Sequence, residues 1–126
     1  MPVLPDDVRR FVLTSIPSVP YLEAALLLRA SPGKRYTLAE LAAALYLPER
    51  EGAQLAQALQ DRGLAQMEGE PAAIMYAPQA PGLSEAMDAL AAAYAADLVA
   101  VTHLIHDSTQ KHAQRFADAF KLRKDR

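Results

Sequence analysis

The chain has 126 residues, enough for one domain of ordinary size, and 52% of them are hydrophobic, enough to bury a core. It has no cysteine, which removes disulfides, zinc ribbons, iron–sulfur clusters and thiol nucleophiles and fits a reducing cytoplasm. The net charge of −2 argues against a general nucleic-acid coat protein, but the charge is uneven: six bases and two acids from Lys111 onward give +4, and the other seven bases and thirteen acids give −6.

Good helix formers dominate and β-branched residues are sparse, so a mainly α fold with a little β is expected. MPVLPDDVRR has early acids and no long apolar stretch, so it does not read as a signal peptide. No apolar run approaches the roughly 20 residues that a bilayer span needs. The segment Asp6 to Ile16 places Val8, Phe11, Val12 and Ile16 near helical spacing and should stop before Pro17. Ser18 is placed to cap a second helix from Val19 to Ala30, with Pro20 in its first turn. Leu22, Leu26 and Arg29 would share one face of it, with Ala25 and Leu28 on its flanks. Pro32-Gly33 then makes a turn.

Thr37-x-x-Glu40 is a capping box that opens the helix LAELAAALYL, with Leu38, Leu41, Ala42 and Leu45 as its inner stripe. Pro48 starts the next helix, whose buried face would be Gly52, Leu55, Ala56 and Leu59. Gly63 is placed for a left-handed C-terminal cap. Leu64 to Glu68 and Ala73 to Ala77 are short candidate strands around a Gly69-Glu70-Pro71-Ala72 turn. Ser84 would cap a helix to Ala96, and a further segment runs from Leu98 to Ile105. After a break at Asp107-Ser108, a last helix from Thr109 to Lys124 would set Ala113, Phe116, Ala117 and Phe120 on one face.

Thr37, Glu40, Leu41, Ala42 and Leu45, followed by Leu55, Leu59, Gly63 and Leu64, match the pattern T-x-x-E-L-A-x-x-L … L-x-x-x-L-x-x-x-G-L. Over Val19 to Ala77 this resembles the winged helix-turn-helix of bacterial regulators such as the MarR type. The whole chain is also similar to small bacterial winged-helix proteins without an assigned activity. The resemblance implies a winged helix-turn-helix with a two-stranded wing and additional N- and C-terminal helices. The chain would be a single domain, 1–126, with its core at 18–78 and a C-terminal helical extension at 82–126 that joins two subunits. Two departures stand out. Gly52 lies where a β-branched core residue is usual, at about 1 kcal/mol relative to Ala in a helix interior. The wing tip, EGEP, carries acids where DNA-binding wings present Arg or Lys.

If the Pro48 helix enters a major groove, its outward residues are Arg50, Gln54, Gln57 and Asp61. Arg bonds guanine and Gln bonds adenine bidentately, so Arg50, Gln54 and Gln57 are the candidate readers. Lys34 and Arg35, with Thr37, would hold phosphate beside a helix N-terminus. The bland reading of the same face is a solvated helix, and Glu49, Glu51, Glu68 and Glu70 would oppose phosphate. The expectation is a cytoplasmic, homodimeric, sequence-specific transcriptional regulator that binds double-stranded DNA. The alternative is an adaptor whose winged helix binds a protein partner. A basic surface around the Pro48 helix would favour the first and an acidic surface the second.

His103 and His106 lie i, i+3 with Asp107 adjacent, and His112 follows. Two ligands at that spacing read first as surface histidines and only secondarily as a metal or effector site. The Phe116 and Phe120 stripe is narrow, which favours packing on protein over a membrane surface. No catalytic motif, metal motif or cofactor-binding loop occurs, so an enzyme is not expected.

Overall fold

The computed structural model describes residues 4–109. Within them are six helices and one three-stranded antiparallel sheet. Helix α1 (Asp6–Ser15) opens with two acids that complement its N-terminal dipole, and it buries Val8 and Val12. Pro17 ends that helical path, and the chain bends by 112° into α2 (Val19–Ala30). The Ser18 hydroxyl accepts a hydrogen bond from the Tyr21 amide at 3.2 Å, as a cap should. The core face of α2 is wider than the expected stripe and centred on its flanks: Leu22, Ala25 and Leu28 are buried together with Tyr21 and Ala24, whereas Leu26 and Arg29 are only half-buried. The reason is that α2 packs against both α4 and β3, so more than one stripe is covered.

Strand β1 (Tyr36–Thr37) joins the two expected strands, β2 (Ala65–Glu68) and β3 (Ala73–Tyr76), in the order β1-β3-β2. The expected two-stranded unit is therefore a three-stranded sheet. Tyr36 pairs with Ile74 on one edge of β3, and Met67 pairs with Ile74 on the other. Ile74 is fully buried and ties the sheet to the helices.

The capping box forms as read. The Glu40 amide donates to Thr37 Oγ1 at 3.1 Å, and the Thr37 amide donates to Glu40 Oε1 at 2.9 Å. Helix α3 (Leu38–Ala44) ends three residues before the expected Leu47. Its carbonyls are consumed in a tight turn, where the Leu47 amide reaches back to Ala42 O at 2.9 Å. That turn holds Tyr46 at φ 57°, left-handed backbone that a non-glycine residue seldom adopts.

Helix α4 (Glu49–Asp61) buries Gly52, Ala56 and Leu59, with Leu55 half-buried. The crossing of α3 and α4 explains Gly52. A Cβ there would stand 2.6 Å from the Ala42 Cβ and 3.1 Å from its backbone N, so no side chain fits without moving the helices apart. What read as a propensity defect is a close-packing device. The α4 C-terminus is a Schellman cap: Leu64 N donates to Leu59 O and Gly63 N to Gln60 O, each at 3.0 Å, with Gly63 at φ 77°. The Gln60 side chain then accepts from the Met67 amide at 2.9 Å, which fixes the hairpin against α4.

Helix α5 (Leu83–Ala96) begins from Gly82 at φ 82° with no side-chain cap, so Ser84 lies inside the first turn instead of capping it. The Pro81-Gly82 turn, closed by Leu83 N to Ala80 O at 3.2 Å, supplies the entry. Arg29 and Asp88 join α2 to α5 through an ion pair of 2.9 Å. A bend of 114° then leads into α6, described as Leu98–Thr109, and Asp97 Oδ1 caps it by accepting from the Ala100 amide at 3.1 Å. The expected break at Asp107-Ser108 does not occur. Both residues are weak helix formers, but burial of Val101, Leu104 and Ile105 outweighs that preference. The last expected helix lies outside the described residues apart from Thr109, as do His112 and the basic residues from Lys111 on.

Candidate interaction face

Arg50, Gln54, Gln57 and Asp61 are all exposed, so α4 presents the expected outward face. Its chemistry is mixed. The Gln57 amide donates to Asp61 Oδ1 at 2.9 Å, one helical turn on, so part of its hydrogen-bonding capacity is already used. Arg50 stands between Glu49 and Glu51, both exposed in the first turn, where acids complement the helix dipole. Those acids thus have a local structural reason as well as an effect on approaching charge.

The expected phosphate holders are also engaged. The Lys34 ammonium lies 4.5 Å from the centre of the Tyr36 ring. Arg35 Nη2 lies 3.5 Å from Glu68 Oε2 on the hairpin, with both side chains well exposed. Thr37 Oγ1 is committed to the cap. Glu40, fully exposed, is held below the usual carboxylate range, first by the Thr37 backbone amide, then by the Thr37 side chain, with Lys34 adding to it. Glu68 and Glu70 flank Gly69 at the hairpin tip, all three exposed. The surface around α4 therefore leans acidic.

Two features were not legible in the sequence. The left-handed backbone at Tyr46 leaves its side chain 95% exposed beside the α3–α4 turn. Large aromatics held in water on a fixed backbone are suited to a partner's surface. Next to it, a cavity of 340 Å³ lies between the start of α2 and α4, lined by Pro17, Pro20, Leu47, Leu55 and Ala58 together with Glu51 and Gln54. A positive φ on a tyrosine has no sequence signal, and a groove between helices depends on how they cross.

No family model, curated protein or solved structure matches the chain.

Beneath this face, Tyr21 is buried and its hydroxyl has no hydrogen-bond partner among the described residues. Burial pushes it up to about 12, with Arg62 pulling the other way. The Arg62 guanidinium lies 5.6 Å from the Tyr21 ring centre and donates to Ser15 O at 3.3 Å. His103 and His106 are exposed, and no cluster of three or more metal-ligating side chains occurs among the described residues. Among those residues, no single helix is long and apolar enough to cross a membrane.

Proposed function

We propose that the chain is a winged helix-turn-helix module that docks a protein partner through the outward side of α4, as an adaptor. The reading of the fold rests on the order α2-β1-α3-α4-β2-β3, the capping box at Thr37 and the Gly63 cap, with β2 and β3 as the wing. The reading of the function rests on charge. Glu49, Glu51, Asp61, Glu68 and Glu70 are exposed around α4 and the wing against Arg50, Arg62, Lys34 and Arg35, and of those bases Lys34 lies over the Tyr36 ring and Arg35 faces Glu68. Each phosphate contact needs a positive partner, and on this side exposed acids outnumber the bases. A partner with a basic rim and an apolar centre suits it, and the exposed Tyr46 and half-buried Leu47 and Leu55 are the apolar counterpart.

One observation favours DNA as a second reading. Arg50 and Gln54 are exposed on one side of α4 and have no side-chain partner among the described residues, so both are free to meet base edges. On that reading the protein is a cytoplasmic transcriptional regulator, with the C-terminal extension joining two copies across a pair of half-sites.

Titration of the purified protein against random duplexes in low salt separates the two. The adaptor reading expects no sequence preference and weak binding. A steeply salt-dependent affinity with preference for one sequence, lost in Gln54→Ala with Gln57→Ala, would replace it with the regulator reading. For the adaptor, a partner identified by cross-linking should bind the purified protein, and Glu49→Lys with Glu51→Lys should weaken that binding at least about ten-fold.

A further inference from the structure

The cavity beside α4 is open to solvent and is lined mainly by apolar groups, Pro17, Pro20, Tyr21, Leu47, Leu55 and Ala58, with Ser18, Glu51 and Gln54 as its polar members. Among the described residues, no cation lines it. Glu49 precedes Glu51 on the same helix. Arg50 and Arg62 are the opposing charges nearby, and the Arg62 guanidinium is turned toward Ser15 O and the Tyr21 ring, away from Glu49 and Glu51 in sequence by more than two helical turns. An occupant should therefore bring apolar anchors and a positive charge.

Pro17 links this groove to the end of the described chain. It also lines the neighbouring cavity of 230 Å³ together with Ser108 and Thr109. Its carbonyl accepts a hydrogen bond from Thr109 Oγ1 at 3.4 Å. The last described residue therefore touches the edge of the groove. Seventeen residues follow it in sequence, with six bases against two acids, and with phenylalanine at 116 and 120. A chain of that length spans about 25 Å as a helix and up to about 56 Å when extended, so reach is no obstacle in either case.

We propose that the groove is the docking site of the chain's own basic C-terminal segment, residues 110–126, with a phenylalanine anchored between Leu55 and Ala58 and basic residues opposite Glu49 and Glu51. Three observations carry it: the apolar lining, the opposite charges, and the chain end at Pro17. The consequence is self-masking. The segment covers the side of α4 that an outside partner would need, so that partner must displace it. The inference does not depend on whether that partner is protein or DNA.

The chain has no cysteine, so introduced pairs report contact without background. The test pair is Gln54→Cys with Ala117→Cys, which spans the groove and the segment. The control pair is Thr14→Cys with Ala117→Cys. Thr14 is exposed and lines the cavity that holds Thr109, so tethering alone favours the control. Docking predicts that under mild oxidation the test pair closes about ten-fold faster than the control, equivalent to about 1.4 kcal/mol. The product should have monomer mass, and Glu49→Lys with Glu51→Lys should return the rate to that of the control. Equal rates for the two pairs overturn the proposal. A product made only of cross-linked dimers also overturns it, because the groove would then hold the segment of a second copy. No outside partner enters the assay, so its failure leaves the adaptor reading standing, and the reverse holds as well.

Discussion

One methyl group added at Gly52 would place a carbon 2.6 Å from the Ala42 Cβ. Helix propensity alone predicts that Gly52→Ala stabilises by about 1 kcal/mol. The crossing predicts the opposite, a net loss of about 1–3 kcal/mol as α3 and α4 are pushed apart. Urea denaturation decides the sign, and a gain in stability would mean the helices are free to separate. At the capping box, Thr37→Ala should cost about 1 kcal/mol. Glu40 gives that box a pH signature: its folded carboxyl is held below the usual range, so its contribution is complete above the unfolded value and fades as pH falls through the folded one. Glu40→Gln should therefore be less sensitive than the parent to acid across the carboxylate range. Tyr21 has the opposite signature, because burial keeps its hydroxyl protonated up to about 12. Stability is lost as pH rises past the ordinary tyrosine value toward that figure, and Tyr21→Phe should lose less of it. At neutral pH the same variant should match or exceed the parent by up to about 1 kcal/mol, because an unpartnered hydroxyl leaves the core. Denaturation midpoints at neutral and alkaline pH measure both effects.

Element boundaries with a chemical mark were readable in the sequence. Ser18, the Thr37–Glu40 box and Gly63 each announce a helix end through a specific hydrogen bond or backbone need, and all three act as read. Where the mark is absent or ambiguous, tertiary structure decides. Tyr36–Thr37 is too short to show a strand pattern and becomes one only because β3 offers an edge. Ser84 looked like a cap, yet the Pro81-Gly82 turn delivers the chain into α5 first. Asp107 and Ser108 looked like a break, but buried residues before them hold the helix. Asp97 carries no such mark, because an acid beside an alanine-rich stretch reads as a surface residue. It caps α6, so Asp97→Ala should cost about 1 kcal/mol in urea unfolding, with the earliest loss of protection in Val99 to Val101 by hydrogen exchange.

At the scale of the whole molecule, the described residues carry seven bases and thirteen acids, and the C-terminal residues carry the compensating bases. Which side of α4 faces outward was legible from the 3.6-residue period, and Arg50, Gln54 and Gln57 lie there as expected. What surrounds them was not, because Arg35 meets Glu68 across more than thirty residues of chain and Lys34 settles on a ring. Such pairings need the fold before they can be seen. They also make the surface sensitive to salt in a particular way. Raising ionic strength weakens the exposed Arg35–Glu68 pair and attraction to a basic partner together. Adaptor binding should therefore weaken moderately with salt, without the steep dependence of a protein that displaces many counterions from DNA. Affinity for the partner measured over a range of sodium chloride concentrations gives that slope.

The contact between Ala42 and Gly52 also constrains how this sequence can drift. A Cβ at 52 would meet the Ala42 Cβ at 2.6 Å and its backbone N and Cα at 3.1 Å, so position 52 is not free to change alone. In descendants of this chain, alanine at 52 should arrive with a crossing that has shifted outward and taken the α4 face with it, by less where glycine stands at 42 and only the backbone contacts have to give. Positions 42 and 52 would then vary as a pair, and the total volume of the pair would record the distance between the two helices.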